Sequence, residues 1–474
     1  MSILSLLRKL YSSKIVANFQ LENDSLYYNK YFSFGMLALG LLTWIVIFWS
    51  KIVFFIPIAI SLLLTSILTA QSLITIRWMI NIWTNPYKLK DYYPSKSWLK
   101  PKLSFTAIVP ARHENEVIQQ TLNSICQIDY PNYLKEIIVV CSKDDMQTIA
   151  SVIQAKRKLS KYNINLLIYS SKPINKPHAL NIALKKAKNQ IVTIFDAEDE
   201  PSKDIYKIIN TVMQNQEVDV VQSGVQLTNL SSQWFSLPNV LEYYFWFKSA
   251  LSFFYHNCVT PLGGNTIFVK KGLLKKVKGW DQNKLTEDAD LGLKFSLQNV
   301  KSVAIYNPQH VTREETPVNE DSFIKQRTRW HHGFLQILME GKWKNLQTTK
   351  QKLLAFYMLC SPLIQSLWLI CIPLSIWLKQ FDLPILISML SFLPLNLFII
   401  QVWIYLLGLS EFLRDYSIKP SWKMFAKLVI IILPYQIMLA LSTIRALYKY
   451  ASNQNSWEKT LHLNQHRQPS YSYS

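Results

Sequence analysis

The chain has 474 residues, 50% hydrophobic and 17% charged, with 51 Lys and Arg against 30 Asp and Glu and a net charge of +21. That length holds a soluble domain plus several membrane helices. A basic nucleic-acid binder would cluster its charges with interleaved aromatics; here they flank apolar segments, as in a membrane protein with Lys and Arg on its cytosolic side.

Residues 1–32 read as a cytosolic N-terminal segment carrying Arg8, Lys9 and Lys14. Residues 33–50 and 52–77 are apolar, separated by Lys51, and each is near the ~20 residues a spanning helix needs. Arg77 and Lys88 follow, so 33–78 is expected to be a transmembrane hairpin with both ends inside. From Pro101 the pattern changes. The short β-branched runs Phe105–Val109, Glu136–Cys141, Asn165–Tyr169, Ile191–Phe195 and Val218–Gln222 alternate with helix-like stretches such as Glu116–Ile125 and Ala179–Lys188. That alternation predicts an α/β domain over 100–322 with a mostly parallel sheet and flanking helices. An amphipathic interface helix is expected at 323–349, and transmembrane helices at 353–408, from Leu353–Leu378 and Leu383–Leu407. The membrane segment 423–448 is re-entrant or spanning. Pro434 interrupts it, and basic residues on both flanks favour re-entry. A tail follows at 449–474. Cys126, Cys141, Cys258, Cys360 and Cys371 lack CxxC spacing and read as reduced packing residues, which fits a cytosolic main domain.

Ligands on such sheets bind at the carboxyl ends of the strands. The first strand runs into Val109-Pro110-Ala111-Arg112-His113-Glu114 and the second into Asp144 and Asp145, where a nucleotide base and ribose would be gripped. Each taken alone is an ordinary loop. Lys176 can touch phosphate or simply sit on the surface. Asp196-Ala197-Glu198-Asp199 follows the fourth run. Alternate acidic side chains there can hold Mg2+ or Mn2+ together with phosphate oxygens, or form a solvated turn. Thr286-Glu287-Asp288 is either a helix start, with carboxylates favoured in the first turn, or a source of a general base, Asp288. Gln326, Arg329 and Trp330 share one helix face. Arg329 suits a diphosphate and Trp330 a sugar or base ring; the bland alternative is a membrane-surface helix. The histidines show no zinc spacing.

Taken in order, these elements resemble a membrane-integrated family 2 glycosyltransferase of the GT-A fold, related to cellulose, chitin, hyaluronan and poly-N-acetylglucosamine synthases. That family shows an early aspartate, a DxD, a TED and a QxxRW. They match Asp144 or Asp145, Asp196-Ala197-Glu198, Thr286-Glu287-Asp288 and Gln326–Trp330. Lys176–Asn181 resembles its KxxALN element, Pro261-Leu262-Gly263-Gly264-Asn265 the strand and loop beneath the acceptor, and Trp457-Glu458-Lys459-Thr460-Leu461-His462 the bacterial WxKTxH. Glu198 stands where the family usually has its second Asp, so Glu198 or Asp199 is the further metal ligand. No FxVTxK element is present, which counts against cellulose.

The resemblance implies an inverting transferase with a GT-A domain between transmembrane helices. Pro110, Arg112, Glu114, Asp144, Asp145, Lys176 and Asp196 would bind the donor nucleotide. Asp196, Glu198 and Asp199 would hold Mg2+ or Mn2+, with Asp288 and Glu287 catalytic. Gln326, Arg329, Trp330, Gly263, Gly264 and Asn265 would meet diphosphate and acceptor, and Trp457, Lys459 and Thr460 would gate the site. The implied partners are a nucleotide-sugar (UDP-linked) donor, a polysaccharide or lipid acceptor and the lipid bilayer, with room for accessory export subunits and no nucleic acid. The implied location is the plasma (inner) membrane, multi-pass, with a cytosolic catalytic domain. Two alternatives stand beside a processive synthase: single transfer to a membrane lipid, and a non-catalytic nucleotide sensor, against which the intact acidic set argues.

Overall fold

The computed structural model describes residues 24–85, 98–369, 384–454 and Glu458. The expected gating residues Trp457, Lys459 and Thr460, and the end of the apolar run Leu353–Leu378, lie outside the described residues. The chain forms two compact units, residues 1–63 with 377–389 and residues 64–376 with 390–474.

The first unit is helical in its described residues from 24 to 63 and from 385 to 389. Where a hairpin is expected, a single helix, Asp24–Met79, runs on through Lys51. The sequence Ser50-Lys51-Ile52-Val53 contains no Gly, Asn or Asp to supply a turn, and the nearest breaker, Pro57, lies within the helix. Three helices among the described residues are long and apolar enough to cross a membrane: Phe55–Met79, Ile385–Asp415 and Trp422–Ala451. The last runs unbroken through Pro434. The interruption expected there is absent: a proline removes one i→i−4 bond, and the helical bonds on either side persist.

The second unit holds the α/β domain. Its strands are β1 (Phe105–Ala111), β2 (Lys135–Ser142), β3 (Ile164–Tyr169), β4 (Ile191–Ile194), β5 (Val220–Ser223), β6 (Val225–Leu227), β7 (Ile267–Lys270), β8 (Ser302–Ile305) and β9 (Thr312–Glu314). The main sheet has the order β3-β2-β1-β4-β7-β5-β8, and β6 pairs with β9 separately. All main-sheet pairs are parallel except those of β7, which is antiparallel to β4 and β5. Side chains alternate across the sheet. Phe105, Ala107, Val109, Ile137 and Val139 pack with Ile118, Leu122, Val152 and Ile209 on one side. Ile108, Ile138, Val140, Val192 and Ile194 pack with Leu180, Ala183 and Leu184 on the other. The reversed strand β7 was not expected. It positions the site, because Thr266 donates its backbone N–H to Ile194 O at 2.8 Å and brings the preceding glycine loop beside the end of β4.

Asn210, fully buried on the helix Ile205–Gln216, ties down the segment that leads into β1. Its Oδ1 accepts from the backbone N–H groups of Lys102 and Leu103, both at 3.1 Å. Its Nδ2 donates to Leu99 O and Lys100 O at 3.2 and 3.1 Å. Asn210→Ala strips partners from buried polar groups, so chemical denaturation should show a loss of about 2–3 kcal/mol. A variant as stable as the parent would contradict this.

Candidate active site

The strands β2, β1 and β4 are neighbours, so their carboxyl ends form one edge. Asp145 is 4% exposed. It caps the helix Met146–Lys158 by accepting from Thr148 N at 3.2 Å, and it accepts from His113 N at 2.5 Å. Its carboxylate therefore shapes the loop. Asp144 faces outward, half exposed, and pairs with the equally exposed Arg112 at 3.2 Å. Pro110, next to the end of β1, is half-buried, and Glu114 donates its backbone N–H to Thr148 Oγ1 at 2.9 Å.

After β4, burial alternates: Asp196 and Glu198 are half-buried, whereas Ala197 and Asp199 are buried. The Asp199 side chain turns inward. It accepts from Asp196 N at 2.8 Å and from Asn265 Nδ2 at 2.8 and 3.0 Å. Asn265 also bonds Glu314. Burial, with Glu314, Asp196 and Glu198 nearby, pushes the Asp199 carboxyl well above the ordinary range. Asp199 and Asn265 are thus a buried strut joining this turn to the glycine loop. Asp196 and Glu198 are the pair on the open side. Among the described residues no cluster of three or more His, Cys, Asp or Glu side chains is arranged to hold a metal. Two half-exposed carboxylates fit a hard cation that takes its remaining oxygens from a diphosphate. Asp196 already attracts a cation: Lys176 Nζ lies 2.6 Å from its Oδ1 and 4.0 Å from Glu287 Oε1. Burial disfavours the Lys176 ammonium, but Asp196, Glu287 and Asp288 outweigh it and raise its pKa.

Asp288 and Glu287 open the helix Glu287–Leu297. Glu287 is 4% exposed, while Asp288 is half-buried and accepts from Ala289 N at 2.8 Å. Burial raises both carboxyls; Lys176 opposes the rise. Gly264, at φ +85°, faces this group: a Cβ there would lie 3.1 Å from Asp288 Oδ2. Gly263 donates its N–H to Gln222 Oε1 at 2.9 Å. The loop therefore presents backbone toward Asp288.

Gln326, Arg329 and Trp330 lie on the helix Glu320–Glu340, half-buried along one face as expected, while Arg327 and Thr328 between them are buried. The same helix lies along residues 284–288. Glu340 pairs with Lys284, and Gln336 Oε1 accepts from Leu285 N at 3.2 Å. Gly333 faces Thr286 so closely that a Cβ would overlap its Oγ1. Burial lowers the Arg329 pKa, against the pull of Glu287, Asp288 and Asp196. A cation thus stands among the carboxylates.

Several supporting residues escape sequence inspection: Gln222, Glu314, Gly333 and Gln336. Gly333, a poor helix former four residues after Arg329, was the one visible signal.

Residues 101–333 match the family model described as glycosyltransferase like family 2. The chain is 23% identical over 245 residues to a beta-monoglucosyldiacylglycerol synthase of Trichormus variabilis, covering 50% of each protein. It is 25% identical over 261 residues to a poly-beta-1,6-N-acetyl-D-glucosamine synthase of Staphylococcus epidermidis, covering 54% of this chain and 60% of the relative. In fold it is similar to a mannosyltransferase from Pyrobaculum calidifontis solved in complex with GDP-Man and Mn2+, at 19% identity and a TM-score of 0.50, covering 82% of this chain and 99% of that one. The chain spans about half of its curated relatives' length. The expected GT-A fold, a mostly parallel sheet with flanking helices, is borne out.

Gly333→Ala should push the helix Glu320–Glu340 off Thr286 and lower stability by about 1–3 kcal/mol, the range for overpacking. Thermal unfolding in detergent checks this, and an unchanged midpoint would mean that the close approach is unimportant.

Proposed function

From a chain that carries a family 2 glycosyltransferase domain of the GT-A fold, we propose an inverting transferase that moves a sugar from a nucleotide-sugar, UDP-linked, to a growing polysaccharide. The single observation that supports it most is the meeting of Asp196, Lys176, Glu287 and Asp288 at one sheet edge, with Arg329 near them. Arg112 and Asp144 are the outward pair for the nucleotide. Asp196 and Glu198 would hold Mg2+ or Mn2+, which supplies positive charge against the departing diphosphate. The choice left open between Glu198 and Asp199 falls to Glu198, since Asp199 is committed inward.

Asp288 is the base. Its carboxylate takes the proton of the acceptor hydroxyl; that oxygen bonds to the anomeric carbon from the face opposite the leaving group, and the bond to the diphosphate oxygen breaks. Lys176 and Arg329 hold the diphosphate and oppose the rise that burial imposes on the Asp288 pKa. Trp330 borders the acceptor, with Gly263 and Gly264 beneath it. Processive synthesis coupled to export through the spanning helices extends this reading, as do gating by Trp457, Lys459 and Thr460 and accessory subunits. Transfer to a membrane lipid is the second reading. It is favoured by the relative named as a glucosyldiacylglycerol synthase, and product size on a gel separates the two.

On this reading the domain lies on the cytosolic side, which the basic flanks support. Cys258 is exposed and reports on it directly. In intact cells expressing a Cys371→Ser variant, an impermeant maleimide should leave Cys258 unlabelled until the membrane is opened. Labelling before that would reverse the orientation.

Asp288→Asn keeps the shape and removes the basicity. We expect a folded protein that still binds UDP but loses on the order of 10²–10⁴ in turnover when assayed across a panel of nucleotide sugars. In the parent, a base with a raised pKa is protonated until higher pH, so kcat should rise with pH through a value above the ordinary carboxylate range of about 4. Near-normal turnover in Asp288→Asn would place the base elsewhere.

A further inference from the structure

Arg327, three residues before Trp330, is 3% exposed, whereas Gln326, Arg329 and Trp330 are half-buried. Its guanidinium grips both oxygens of Glu242, NH1 to Oε1 at 2.8 Å and NH2 to Oε2 at 2.9 Å, and donates to Asn239 Oδ1 at 2.7 Å. Glu242 and Asn239 lie on the helix Ser236–Phe245. Glu242 is also bonded by the hydroxyl of Tyr435, which follows Pro434 on the apolar helix Trp422–Ala451. The Arg327 guanidinium carbon lies 4.4 Å from the centre of the Trp330 ring and 5.0 Å from that of Phe323. Phe323 in turn packs on Tyr435 with ring centres 5.5 Å apart. Three helices therefore meet behind Trp330.

A fork of donors held by a carboxylate has a fixed plane, and a cation over an indole favours one placement of the ring. We propose that Glu242 and Tyr435, acting through Arg327, are positioning residues for the acceptor: they set the plane of the Trp330 ring and link it to the helix Trp422–Ala451. The inference rests on the reading of Trp330 as the acceptor's border. Arg327 is shielded from the diphosphate chemistry by its own partners, so the link should act on acceptor binding and leave donor binding alone. It also gives the apolar helix a direct hold on the polar site: tilting that helix moves Tyr435, and with it the carboxylate that orients the guanidinium beneath Trp330.

The full-length protein in lipid nanodiscs carries the test. UDP-N-acetylglucosamine with β-linked N-acetylglucosamine oligomers is the probe pair, or UDP-glucose with diacylglycerol if only that pair turns over. Tyr435→Phe should raise the acceptor KM by about two- to tenfold, the loss of one hydrogen bond. Glu242→Gln should raise it by about 10–100-fold, the scale of a misplaced binding group. UDP binding should stay unchanged in both. On a Trp330→Ala background, Tyr435→Phe should add nothing, because the ring it positions is gone. With fluorotryptophan labelling, the 19F resonance that disappears in Trp330→Phe should shift in Tyr435→Phe, and this readout needs neither turnover nor the Glu242→Gln variant to fold. If Trp330→Ala raises the acceptor KM while Tyr435→Phe leaves both the KM and the resonance unmoved, the positioning link is overturned and the function stands. If Trp330→Ala leaves the acceptor KM unchanged, the acceptor reading of Trp330 fails and takes this inference with it.

Discussion

One stripe of the helix Glu320–Glu340 sets the geometry of the whole site. Arg329, Gly333, Gln336 and Glu340 recur at steps of four, three and four, so they lie on one face. That face runs antiparallel along residues 284–288: Glu340 on Lys284, Gln336 on Leu285, Gly333 on Thr286, and Arg329 near Glu287 and Asp288. The register has little freedom. A side chain at 333 would lift the helix, and a one-residue slip would rotate it by about 100° and turn Arg329 away from the carboxylates. The helix uses its other sides as well. Thr328 and His331 bond the helix Trp422–Ala451 at Ser442 and Thr443, and Arg327 bonds Glu242. It joins the polar domain to an apolar helix long enough to cross a membrane.

The second constraint is electrostatic. In a chain of net charge +21, Asp196, Glu198, Asp199, Glu287, Asp288 and Glu314 gather at one sheet edge, with Lys176 and Arg329 as the cations drawn close to them. Carboxylates so placed cannot all stay ionised without cations. Asp199 is turned inward with a raised pKa, Asp196 pairs with Lys176, and Asp288 is left half-buried with a raised pKa. Under the proposed function such a site would bind a cation with its polyanion, and Asp288 would take up a proton more readily than an ordinary carboxylate.

Much of this was legible in the sequence, and the misses have physical causes. The five predicted strands lie within two residues of β1 to β5, because β-branched runs bounded by polar segments leave little ambiguity. The shared face of Gln326, Arg329 and Trp330 followed from helical spacing alone. The antiparallel β7 was missed because four residues after a glycine loop carry no direction. The hairpin at residues 33–78 was expected from composition, which registers Lys51 as a break although no Gly, Asn or Asp accompanies it. The sequence left Asp144 or Asp145, and Glu198 or Asp199, as alternatives; in the structure Asp145 accepts from backbone N–H groups and Asp199 from Asn265, and only coordinates separate a carboxylate facing a cleft from one facing a core. Glu242, Gln222 and Glu314 act through contacts distant in sequence and leave no local pattern.

A cryo-EM structure of the full-length protein in lipid with UDP and Mn2+ is the most direct test of the account. It should show the diphosphate between the Asp196 and Glu198 oxygens on one side and Lys176 and Arg329 on the other, with Gly333 still seated on Thr286 and Asp288 open toward Trp330. A diphosphate bound away from that edge, or a helix whose Arg329 points elsewhere when UDP is present, would contradict it.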